Sequence, residues 1–161
     1  MGFLKNILIS VLGGNVDNQP RTPQAKPAQK THYETIQRTD EECIQYFWDI
    51  LNTEFPQYTI TENVPVNQLA GDVSDEFTLY CEKKVYKAEW GKPYNFVLSQ
   101  AGVAKGVVML GRGNCHDHNV KYLISRMYAK KMGLPYINFY MQFANERQYV
   151  INRIKEFMKI R

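Results

Sequence analysis

The strongest constraint on the fold lies in residues 94–140, where short apolar runs and one amphipathic helix follow each other in fixed order. YNFVLSQ (94–100) and VVMLG (107–111) are rich in β-branched and aromatic residues. A Gly-bounded turn, AGVAKG, separates them, which predicts a hairpin. VKYLISRMYAKKMG (120–133) has helical periodicity and a glycine at its C-terminal end, and LPYINFY (134–140) reads as a third strand opened by proline. A strand–helix–strand crossover after a hairpin predicts an α/β sheet covered by helices on both sides.

Flanking segments extend this pattern. Thr39 and Glu42 have the spacing of a capping box, and Ile44, Phe47, Trp48, Leu51 and Phe55 form an apolar stripe on a helix that must end before Pro56. Residues 57–66 alternate weakly and predict a strand. Residues 68–75 read as a polar turn, and residues 77–86 as one further strand. Asn145 and Gln148 have capping-box spacing. Val150, Ile151, Ile154, Phe157 and Met158 line one face of a last helix, and Tyr128, Phe139 and Phe157 are expected in the core. The expected architecture is a small mixed sheet flanked by helices, with an α-β-β-β-α-β core and an extra C-terminal helix.

The N-terminal residues stand apart. Phe3, Leu4, Ile7, Leu8, Val11 and Leu12 recur on one side of a helix that Gly13-Gly14 ends, which gives an amphipathic segment over residues 1–14. Its apolar run is too short to span a bilayer, so it is expected to lie on a membrane surface, dock on another protein or fold back onto its own domain. Residues 15–38, rich in Pro and Gln, are expected to be a flexible linker. The domain is expected to occupy residues 39–161. An apolar content of 44 % supports a real core, and three Cys without framework spacing favour a reducing, cytoplasmic location, with membrane association through residues 1–14 as a variant.

The core pattern, with YNFVL, VVMLG and LPYINFY in order around a helix, resembles the restriction-endonuclease-like PD-(D/E)xK superfamily. The resemblance implies a nuclease scaffold with a divalent-metal site made by an Asp on the first of these strands and a Glu-x-Lys on the second. At the corresponding positions this chain has Asn95, Met109 and Gly111. An amide, a thioether and a hydrogen cannot gather Mg²⁺ as charged oxygens do. The resemblance therefore implies a degenerate, non-catalytic member that needs no cofactor.

Charge gives the binding expectation. Residues 1–82 carry 5 Lys and Arg against 12 Asp and Glu, whereas residues 83–161 carry 15 against 4. A basic half of that size attracts nucleic acid, anionic lipid or another partner, or else pairs with the acidic half or merely solvates helix faces. Arg112, Lys121, Arg126 and Lys130 are the expected phosphate contacts, on the side where the superfamily meets its substrate. The loop after the second strand supports an alternative. Cys115, His116 and His118 are zinc-type ligands, Cys115 could act as a thiol nucleophile, and the Gly111–Asn119 loop would then hold an enzyme site. Against a metal, the loop lacks a second ligand pair at recognisable spacing. The bland reading is a helix-entry loop in which Asp117 or Asn119 caps the following helix. The Gly111-Arg112-Gly113 backbone also has the composition of an anion nest.

Overall fold

The computed structural model describes residues 33–71, 78–79 and 81–161. The segment at residues 1–14 and most of the linker lie outside the described residues. The first helix, α1 (Asp40–Glu54), starts at the Thr39 capping box: Thr39 Oγ1 accepts from Glu42 N, and Glu42 Oε2 accepts from Thr39 N. Next come β1 (Thr59–Val64), α2 (Val66–Ala70), β2 (Thr78–Leu79) and β3 (Cys81–Val85). A 3₁₀ turn (Ala88–Trp90) leads to β4 (Tyr94–Gln100) and β5 (Val103–Gly111). The chain ends with α3 (Cys115–His118), α4 (Val120–Lys131), β6 (Tyr136–Tyr140) and α5 (Arg147–Met158).

The main sheet has strand order β1-β4-β5-β6, with β5 and β6 parallel and the other neighbours antiparallel. It is the expected mixed sheet of an α/β fold. Adjacent residues of β5 point to opposite layers, and both layers are apolar. Val108 and Leu110 join Phe96, Leu98, Ile137 and Phe139 beneath α1 and α5. Val107 and Met109 join Val97 beneath α4, α2 and the 3₁₀ turn. Burial on both faces explains why these strands read as unbroken apolar runs rather than as alternating ones. Tyr94 Oη donates to Ser125 O (2.7 Å) and ties the sheet to α4.

The structure corrects several local expectations. The β4–β5 turn is only Ala101-Gly102, both at positive φ (50° and 77°), so β5 begins at Val103 and carries a bulge opposite Leu98/Ser99. Residues 66–70, expected in large part as turn, form α2, in which Val66 and Ala70 are buried. The single strand expected over residues 77–86 is instead the β2–β3 pair, a separate two-stranded sheet, because these strands bond to each other and not to the main sheet. The last six linker residues are strapped to the domain. Ala144 N donates to Glu34 O (2.8 Å), Ile36 N to Gln142 O (3.0 Å) and Arg38 Nη1 to Ala144 O (3.0 Å). Asn145 makes no capping box; it sits at φ 48° and spends its amide on Tyr140 O and Phe143 O. Tyr128 and Phe139 are core residues, but Phe157 is exposed, with the Arg153 guanidinium 4.6 Å from its ring centre. No described helix is long and apolar enough to cross a membrane.

Candidate functional site

Asn95, Met109 and Gly111 meet where β4 and β5 separate. Asn95 Oδ1 accepts from Leu110 N (2.8 Å), so the amide continues the ladder past the last backbone pairing, Phe96 with Val108. Met109 is fully buried in the α4 layer. Gly111 is closed off: a Cβ there would lie 2.2 Å from Cys115 Sγ, 3.1 Å from His116 Nε2 and 3.1 Å from a Tyr122 ring carbon. A lysine cannot occupy that position while the loop keeps this conformation. The three residues are consumed by packing and backbone bonding.

What fills the space above Gly111 is the loop itself. His116 is buried, its Nε2 lies 2.9 Å from Phe139 O, and its ring meets Tyr122 and Tyr140 edge-on at 5.3 and 5.0 Å. Nε2 must carry the proton to donate to that carbonyl, which leaves Nδ1 a buried acceptor without a partner among the described residues. Burial pushes the His116 pKa below its ordinary 6.5, so the ring stays neutral. The Cys115 thiol is half-buried and pushed up in pKa, chiefly by desolvation, with the Tyr122 hydroxyl pulling the other way. A nucleophilic Cys–His pair needs an ionised or base-activated thiol. Here the imidazole is committed to a backbone carbonyl, and burial disfavours ionisation of the thiol. His118 is exposed, and no group of three or more His, Cys, Asp or Glu side chains among the described residues could hold a metal ion. The anion nest is also engaged, since Gly113 N donates to Gln142 Oε1 (3.2 Å). Asn119, not Asp117, caps α4, through Oδ1 to Lys121 N. Asp117 accepts from Tyr140 Oη (3.2 Å). The loop is a plug stitched to β6 and α4.

The four basic residues divide into two pairs. Arg112 donates to Asp40 Oδ1 (2.7 Å) and to Arg38 O, and Arg126 donates to His116 O (2.8 Å) and reaches Asp117 at 3.4 Å. Both are half in solvent and serve the plug. Lys121 and Lys130 are exposed on α4. Sequence reasoning missed the lysines of the 3₁₀ turn that is bonded to α4 at Lys121. Lys92 N donates to Lys121 O (3.0 Å), which sets the 3₁₀ turn against the start of α4. On that turn Trp90 is 47 % exposed, and Lys87 Nζ lies 6.0 Å from its ring centre. Lys87, Lys92 and Lys121 are all exposed, and Glu89 is the acid among them. The signal available was KAEWGK, an aromatic between lysines, which reads equally well as a turn.

Sequence reasoning also missed a concavity at the C-terminal end of β6. It encloses about 210 Å³ and is lined by Tyr33, Phe143 and Tyr149, with Asn138, Asn145 and Arg153 as its polar groups. Arg153 Nε donates to Asn138 O (3.2 Å) and Nη2 to Asn138 Oδ1 (2.9 Å). These residues come from the linker's end, β6, the loop after it and α5, so no local motif announces them. Comparison of the chain with protein-family models, curated proteins and solved structures finds no match.

Proposed function

We propose that this chain is a non-catalytic, nuclease-like binding module that takes hold of nucleic acid through its basic C-terminal half. The observation that carries the reading is the exposed Trp90 with Lys87 near its ring, on a turn whose exposed Lys92 is bonded through its backbone to the exposed Lys121. An aromatic face stacks a base of any identity while nearby ammonium groups neutralise phosphates, the combination that suits single strands. The absence of strand cleavage follows from Asn95, Met109 and Gly111, whose roles in the ladder and in packing leave no charged oxygen for Mg²⁺.

The test is a salt titration of binding to a labelled single strand and to a labelled duplex. Wild type is expected to bind at low salt, with the single strand preferred. The Lys87→Ala, Lys92→Ala, Lys121→Ala triple variant should flatten the log-affinity against log-salt slope on single strands by about 2, from roughly 0.7 per phosphate contact. Its stability should hardly change, because all three groups are exposed. No binding by wild type at low salt defeats the reading.

A further inference from the structure

The concavity beside β6 holds a cation, Arg153, whose charge is not met by a carboxylate among the described residues. Arg153 is half-buried, and no carboxylate lies within ion-pair distance of it among the described residues; the ion pairs there use Arg112, Arg126 and Arg147. Its guanidinium is nonetheless fixed. Nε and Nη2 are both held by Asn138, and the guanidinium carbon lies 5.7 and 4.6 Å from the centres of the Phe139 and Phe157 rings. Two of its three nitrogens are thereby spent, and Nη1 remains. Asn138 gives Oδ1 to Arg153, so its Nδ2 is a second donor with no partner among the described residues. A held guanidinium and a held amide side by side present donors to a planar, two-oxygen anion without further loss of side-chain freedom. The opposite walls are aromatic, from Tyr33, Phe143 and Tyr149, with Tyr33 and Phe143 edge-on at 6.1 Å. A space of about 210 Å³ suffices for one ring, since roughly 150 Å³ accommodates benzene.

We infer that this pocket is a binding site for a small aromatic molecule bearing one carboxylate or phosphate head, with the head on Arg153 and Asn138 and the ring against the tyrosines. The site lies apart from the Trp90 surface and does not depend on nucleic-acid binding. The ligand it fits has one anionic head, a flat apolar body and a size near that of a substituted benzene.

The full-length protein is titrated with 4-hydroxybenzoate, with phenyl phosphate and with neutral 4-hydroxybenzamide, and followed by ¹H–¹⁵N chemical shifts, including the Arg Nε–H signals. At least one of the two anions should bind ten times or more tighter than the amide and shift Arg153 and Asn138. The carboxylate and phosphate arms tell which head is taken. Asn138→Asp keeps the acceptor for Arg153 but supplies an internal counter-charge, so it should cost the preferred anion at least tenfold with the thermal transition intact. Equal binding of anions and amide, shifts confined to other surfaces, or an unchanged affinity in Asn138→Asp overturns the assignment. If that variant does not fold, the comparison of anion with amide on wild type decides alone.

Discussion

Gly111, Asn95 and His116 owe their identities to the space and bonding around them. Adding a methyl at Gly111 places it 2.2 Å from Cys115 Sγ, so Gly111→Ala must push the plug outward. We expect a loss of about 1–3 kcal/mol in urea unfolding, the usual cost of overpacking. Asn95→Ala leaves Leu110 N, inside the sheet, without its acceptor, and should cost about 1–3 kcal/mol, whereas Asn95→Asp keeps an acceptor oxygen and should cost less. A smaller loss in Asn95→Ala than in Asn95→Asp contradicts that role. His116 makes stability pH-dependent. Its folded pKa is depressed by burial, so between the ordinary value of 6.5 and the depressed one the unfolded chain binds the proton and the native chain does not. Its contribution is full above about pH 6.5 and declines as pH falls below it. Denaturant midpoints of wild type between pH 7.5 and 5 should fall more steeply than those of His116→Gln, whose amide can still donate to Phe139 O. Parallel profiles would remove His116 from that account.

At the scale of elements, turn chemistry explains where the strands stop. The β4–β5 connection needs two consecutive residues at positive φ, and only the second is glycine. Ala101 therefore pays a steric cost, and Ala101→Gly should stabilise the protein by about 0.5–1 kcal/mol. The measurement is the shift in unfolding midpoint with the denaturant slope unchanged. The loop from β6 to α5 illustrates the opposite case. Asn145 shares the spacing of a capping residue, but the loop carbonyls of Tyr140 and Phe143 require donors, and its amide satisfies both. Asn145→Ala should lose about 2–3 kcal/mol, from hydrogen bonds and left-handed strain together, while Asn145→Gly should recover the strain part only. Residues 77–86 read as one strand in the sequence because no Gly or Pro marks the break between β2 and β3.

For the whole molecule, the boundary of the domain has a measurable consequence. A chain starting at Tyr33 retains the backbone and Arg38 bonds to residues 142–144, and one starting at Thr39 loses them together with the Arg38 carbonyl that receives Arg112. We expect a cooperative transition for the first chain and a midpoint lower by several degrees for the second, at about 1 kcal/mol per lost bond. Equal midpoints would mean that the strap contributes nothing. The charge asymmetry is partly absorbed within the fold, since Asp40–Arg112 and Glu54–Arg147 join the acidic half to the basic one. These exposed pairs add little stability, and most basic side chains stay available to solvent. The sequence by itself determined the succession of β4, β5, α4 and β6, the Thr39 cap, the α4 periodicity and that residues 95 and 109 carry no carboxylate, because period and residue chemistry are local properties. Only the tertiary structure decided that the Cys115-His116 loop is a plug, that Arg112 and Arg126 serve it, and that Asn138 and Arg153 share a pocket with Tyr33. Each of these depends on groups brought together from distant elements, and a side chain's partner is set by packing across the sheet rather than by its neighbours along the chain.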